Sequence, residues 1–248
     1  MSGRTLLGMI TPSSNTVLEP LTGLMLADLF PKVTAHFSRF RVTEISLEQQ
    51  ALDQFDLAPI ISAAKLLSDA KPTSIAWNGT SASWLGFDRD EQLCMDIEDK
   101  TGVPAITSVL ALNEIMKSRS ITQIGLVTPY TTDVQDRIIS NYRSLGIDCI
   151  ADAHFGEKHN FAFAEFNERY LEQHIRDVAL SKPQAIVILC TNLRAAQLVH
   201  RLELETGIPI YDSVAAVVWK ALSHAGIETH ELSRWGSLFN LNQDDSKQ

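Results

Sequence analysis

The sequence lacks any apolar run near the ~18–20 residues that cross a bilayer. Its first residues, Met1 to Ile10, meet polar Ser13-Ser14-Asn15 too early for an export signal. It has no Lys/Arg-rich block, and a net charge of -9 disfavours a phosphate backbone as partner. Cysteine is scarce. Cys94, Cys149 and Cys190 are odd in number and far apart, which suits neither a disulfide framework nor a zinc site. The His residues lack H-x-x-x-H spacing. There is no Gly-rich dinucleotide fingerprint, P-loop or G-x-S-x-G elbow. These absences lead us to expect a cytoplasmic protein with reduced thiols, no metal, and no nucleic-acid or membrane partner.

What is present is alternation. Strand-like runs fall at Thr5–Ile10, Val33–Phe40, Thr73–Trp77, Ile121–Val127, Asp148–Ala153 and Ala185–Leu189. Helical patterns fall at Ile60–Ala70, Arg89–Thr101, Ser108–Lys117, Thr132–Leu145, Phe163–Leu180, Leu193–Thr206 and Val214–His224. Such alternation indicates βαβ units and a mostly parallel α/β fold. The polar stretch Gln243 to Gln248 is expected to fray.

The pattern also repeats. Gly8-Met-Ile-Thr-Pro-Ser returns as Gly125-Leu-Val-Thr-Pro-Tyr, and Thr101-Gly-Val-Pro-Ala-Ile-Thr-Ser-Val as Thr206-Gly-Ile-Pro-Ile-Tyr-Asp-Ser-Val. Between them Gly79-Thr80 matches Cys190-Thr191. Three matches in one order imply a duplicated unit. We expect two pseudo-symmetric Rossmann-like lobes, residues 1–114 and 115–213, with 214–248 packing back on the first. In both halves strands end in polar loops, where open α/β sheets bind ligands. Two such ends face to face would enclose a site rich in N–H and O–H donors.

Cys190 follows an apolar strand and precedes a helical pattern, a setting that lowers a thiol's pKa; a buried core cysteine is the alternative. Cys94 and Cys149 read as packing residues. Thr80 and Ser81 offer hydroxyls to a carboxylate, or simply cap a helix. Ser13, Ser14, Asn15 and Thr16 form a similar cluster. Tyr130 takes the place of Ser13 in the repeat. Asn160 says little by spacing alone. Arg194 is expected in the first turn of the helix after Cys190, where a solvated side chain is the plainer reading.

With Thr11-Pro12-Ser13-Ser14-Asn15-Thr16, Gly79-Thr80-Ser81, Thr128-Pro129-Tyr130 and Cys190-Thr191-Asn192 assembled, the sequence resembles the aspartate/glutamate/hydantoin racemase superfamily. Within it, the chain is most similar to the branch of maleate cis-trans isomerases and arylmalonate decarboxylases. The resemblance implies a cofactor-free site between the lobes. It implies two cysteines on opposite faces in racemases and isomerases, one of which attacks the double bond in the isomerases. Here Gly79 stands where the first cysteine belongs, which is the decarboxylase arrangement. It further implies that Thr80, Ser81, Tyr130, Thr191, Asn15, Ser14 and Asn160 bind a carboxylate of a small dicarboxylic acid. Polar Thr191-Asn192-Leu193-Arg194 after the cysteine points to a more polar acid than an arylmalonate.

The leading expectation is therefore a cofactor-independent decarboxylase of a substituted malonate, with Cys190 protonating the enediolate. A single thiol should yield one enantiomer, and Gly79→Cys should then add racemising activity. The alternatives are an isomerase or racemase of a small dicarboxylate or amino-acid derivative, and a non-catalytic carboxylate-binding protein. A homo-oligomer is left open.

Overall fold

Eight parallel strands form among the described residues, the central ones of each sheet from buried, largely aliphatic runs. They are β1 Thr5–Pro12, β2 Val33–Phe40, β3 Ser74–Trp77, β4 Ala105–Thr107, β5 Gln123–Thr128, β6 Asp148–His154, β7 Ala185–Ile188 and β8 Ile210–Asp212. The computed structural model describes residues 3–48 and 53–241. The tail expected to fray, Gln243 to Gln248, lies outside the described residues. The strands make two sheets of identical order, β2-β1-β3-β4 and β6-β5-β7-β8, every pair parallel. The α/β fold with two related lobes is as expected.

Helices flank both sheets: α1 Leu18–Met25, α2 Leu57–Ser68, α3 Ala82–Leu85, α4 Asp88–Thr101, α5 Ser108–Ser118, α6 Thr132–Ser144, α7 Glu168–Ala179, α8 Val199–Thr206 and α9 Ser213–His224. Two expected helices are shorter than their periodicity suggests. Phe163–Leu180 divides because the Asn167 side chain accepts from the Tyr170 N–H and starts α7 afresh, after a 3-10 turn over Asn160–Glu165. Leu193–Thr206 begins as turns, with a 3-10 segment over Ala196–Leu198 and an α-helix only from Val199. The short strands β4 and β8 escaped strand assignment because three residues carry no measurable alternation.

The repeat reappears atom for atom at the ends of α4 and α8. Gly102 and Gly207 adopt left-handed backbone, φ 68° and 69°, and close each helix. Thr101 and Thr206 donate to Ile97 O and Leu202 O, both at 2.7 Å. Glu98 and Glu203 accept from the N–H groups of Ala105 and Ile210. The following serines, Ser108 and Ser213, donate to Trp77 O and Ile188 O at the ends of β3 and β7. Each serine thus ties a helix start to the strand end that leads to Gly79 or Cys190.

The C-terminal stretch divides. Helix α9 packs on α5, α1, β3 and β4, and also on β8, while residues 230–240 lie against α8 and β8. No helix among the described residues is long and apolar enough to cross a membrane.

Gly125, in the middle of β5, is required by space. A Cβ there would meet Val178 Cγ1 of α7 at 2.3 Å. We expect Gly125→Ala to cost about 1–3 kcal/mol by overpacking, read as a lower urea midpoint at unchanged slope. An unmoved midpoint would show that Val178 has room to turn aside.

Candidate active site

The ends of β3 and β7 converge on a narrow cleft. Its lining includes Gly79, Thr80, Ser81, Tyr130, Asn160, Cys190 and Thr191. Residues brought from both lobes meet here, as the repeat implied.

Hydrogen bonds from strand end to strand end hold the lobes in register. Thr191 Oγ1 donates to Asn78 O at 2.9 Å and accepts from Asn15 Nδ2 at 3.1 Å. Asn15 Oδ1 also accepts from the Val17 and Leu18 N–H groups at the start of α1. Asn192 spans the same seam, accepting from Thr16 N–H at 2.9 Å and donating to Asn160 O. Asn160 Nδ2 donates to Ser14 Oγ at 2.8 Å, and Ser14 donates to Val42 O. Ser14 and Asn15 therefore sit one layer behind the lining, where they hold Asn160 and Thr191.

The donor side of the cleft is preorganised. Tyr130 Oη and Thr80 Oγ1 are 2.6 Å apart. The Tyr130 ring is fixed edge-on by Trp84 and Phe163, with centroids 5.1 and 5.6 Å away. The backbone N–H groups of Thr80, Ser81 and Thr191 donate to no acceptor among the described residues. The rest of the lining forms an apolar wall: Pro12, Val42, Ile45, Phe55, Trp77 and Trp84. Sequence reasoning missed this wall. Its residues come from four separate segments, and each reads singly as core.

Cys190 is buried, and its surroundings correct the expected thiol chemistry. No helix starts directly after it; α8 begins only at Val199. Burial pushes the thiol up to about 12. The N–H groups of Asn192 and Leu193 and the Tyr130 hydroxyl pull it down less, and Asp212 adds to the rise. The Asn192 N–H lies 3.4 Å from Sγ. Cys190 is thus held as a protonated thiol, suited to giving a proton. Burial likewise pushes Cys94 and Cys149 up to about 12. Arg194 lies in a turn and donates to Phe166 O at the surface.

Behind the thiol, buried Asp212 caps α9 through Oδ1, which accepts from Val214 and Ala215. Its Oδ2 has no hydrogen-bond partner among the described residues, and burial pushes its pKa up to about 7.

A thiol and a cluster of hydroxyl and amide donors thus lie between two parallel α/β lobes. Residues 7–239 match the arylmalonate decarboxylase family, and the chain belongs to that family. It is similar to the maleate isomerase of Alcaligenes faecalis, 24% identical over 235 residues, covering 90% of this chain and 92% of the relative. It is similar also to the arylmalonate decarboxylase of Bordetella bronchiseptica, 22% identical over 246 residues, covering 93% and 97%. Among solved structures, a Nocardia farcinica maleate cis-trans isomerase mutant with a covalently bound succinylcysteine intermediate superposes with a TM-score of 0.87. It is 19% identical and covers 96% of this chain and 98% of that one. An arylmalonate decarboxylase superposes with a TM-score of 0.77 at 20% identity, covering 96% and 100%. Both activities occur among the relatives, and of those compared here the isomerases are the more similar.

Two outcomes are expected for the thiol. Alkylation of Cys190, followed by peptide mass mapping, should keep rising with hydroxide up to pH 10; a plateau near pH 7–8 would contradict a buried neutral thiol. Asp212→Asn retains the cap and removes the nearby charge, so alkylation should quicken above about pH 7, where the carboxyl would be ionised, and change little below it. The same substitution bears on stability. A carboxyl raised from 3.8 to about 7 keeps its proton longer when folded, so its contribution to stability is lost as pH rises from about 4 through about 7. Melting curves of Asp212→Asn should therefore lose part of the wild-type decline across that same window.

Proposed function

We propose that the chain is a cofactor-independent decarboxylase of a small substituted malonate, with Cys190 as the proton donor. The observation that carries this reading is a single buried thiol lining the cleft, with glycine at the equivalent place in the other lobe. A malonate has two carboxylates on one carbon. One would be held by Thr80, Ser81, Tyr130 and the free N–H groups, with Asn15, Ser14 and Asn160 supporting that side. The other would face the apolar wall, where a charged carboxylate is poorly solvated and neutral carbon dioxide is not.

The electrons balance as follows. The bond from the α-carbon to the apolar-side carboxylate breaks, carbon dioxide departs, and its electron pair moves into the held carboxylate as an enediolate. Preorganised donors stabilise that developing charge, the term that usually weighs most. The α-carbon then takes the proton of Cys190, and water restores the thiol. The product is a monoacid of one configuration.

Isomerisation of a small dicarboxylate is the second reading, favoured by the greater similarity to maleate isomerases and by the polar pair Asn15 and Asn160 at the seam. It needs a nucleophile, and a thiol held at about 12 with no partner thiol across the cleft is a poor one.

The test is carbon dioxide release from a panel of substituted malonates in deuterated water. We expect release with one deuterium in one configuration, a fall of at least ~10³-fold for Cys190→Ser, and a fall of roughly 10–10³-fold for Tyr130→Phe. Isomerisation of maleate without carbon dioxide release would move the assignment to the second reading. Stoichiometric binding without turnover would make the protein a carboxylate carrier.

A further inference from the structure

The pseudo-symmetry pairs Gly79 with Cys190, and the structure shows why residue 79 has no side chain. A Cβ built at Gly79 would lie 1.9 Å from Trp77 Cζ2, and 2.4 and 2.5 Å from Cε2 and Cη2 of the same ring. Contacts that short do not occur, and the obstacle is a rigid indole with no flexible end to swing aside. The constraint is one of space, since Gly79 lies outside the left-handed region that would demand glycine. The indole is itself pinned. Trp77 is the last residue of β3, is 1% exposed, and packs on Phe40 with ring centroids 5.1 Å apart.

Trp77 also lines two spaces. One is the cleft with Cys190. The other is a second cavity of about 190 Å³, which shares Phe55, Trp77 and Ser81 with the cleft and continues to Leu57, Leu85 and Asp90.

We propose that Trp77 is the specificity-determining residue of the cleft: its indole takes the space of a first-lobe thiol and covers the substrate face turned away from Cys190. The inference rests on the reading of this cleft as the substrate site. It makes the absence of a second cysteine a consequence of packing as well as of the residue at 79. It also corrects the expectation that Gly79→Cys alone adds racemising activity, because that side chain has nowhere to go while the indole stands. A second thiol could act only if Trp77 were reduced. One cysteine, as thiolate, would then remove the α-proton of the product and become a thiol, while the other, as thiol, gave a solvent-derived proton to the opposite face and became the thiolate, with no net change in composition.

The test begins with a double-mutant cycle read by thermal melting, which needs no activity. Gly79→Ala should lower the melting temperature of the otherwise wild-type chain by roughly 3–10 °C, by overpacking in a chain of this size. In the Trp77→Val background it should be neutral or stabilising, a coupling well outside additivity. Failure of Gly79→Ala to fold beside a folded double variant is the same result in stronger form. Equal losses in both backgrounds, or no loss in either, would overturn the proposal.

The second readout is exchange of the product's α-hydrogen in deuterated water. Trp77→Val with Gly79→Cys should exchange it with scrambling of configuration, and Gly79→Cys alone should not. Scrambling by Gly79→Cys alone would overturn the facial role of Trp77. If the melting cycle shows coupling and no variant or wild type acts on any diacid, the packing claim stands and the functional reading fails.

Discussion

The site depends on one hydroxyl. Thr191 Oγ1 is bound to Asn78 O of the first lobe and to the Asn15 side chain, so it couples the ends of β3 and β7 directly. These are the two strand ends that carry Gly79 and Cys190. Asn192 repeats the tie one residue on, gripping Thr16 and Asn160. Such buried polar links act over short distances and in fixed directions. They set the spacing of the lobes more sharply than apolar packing does, and the width of the cleft follows from them.

From that spacing comes the chemistry. The lobes close tightly enough to bury Cys190, and burial outweighs the backbone N–H groups that would have favoured a thiolate. A helix N-terminus at Thr191 would have shifted that balance, but the residues after Cys190 form turns and the α-helix begins only at Val199. The thiol is consequently an acid in waiting. Aromatic and aliphatic side chains from distant segments complete the lining, and the Trp77 ring occupies the space a side chain at residue 79 would take. Hydroxyl donors, apolar surface and one thiol in a single cleft are the features on which the proposed decarboxylation rests.

Much of this was legible in the sequence because the repeat is physical. Gly102 and Gly207 recur because two helices must end with left-handed backbone, and Thr101 and Thr206 recur because each ties down the same turn. The parallel sheets followed from alternation, and the strand-end residues from the repeat. Four things were not legible. The helix start at Glu168 depended on where Asn167 spends its side chain, and the late start at Val199 on the turns after Cys190, neither of which periodicity encodes. The layering of Ser14 and Asn15 behind Asn160 and Thr191 needed three-dimensional contacts. The thiol's protonation state depended on burial, which reverses what local position suggests. Trp77 read as an ordinary strand residue, since nothing in one dimension says that its ring folds over residue 79.

The most direct measurement is a crystal structure of Cys190→Ala with a substituted malonate bound. The account predicts one carboxylate on Thr80, Ser81, Tyr130 and the Thr191 N–H, the other against Val42, Ile45 and Phe55, the α-carbon facing residue 190 and the Trp77 ring over its far side. A diacid bound elsewhere, or one whose α-carbon faces away from residue 190, would contradict it.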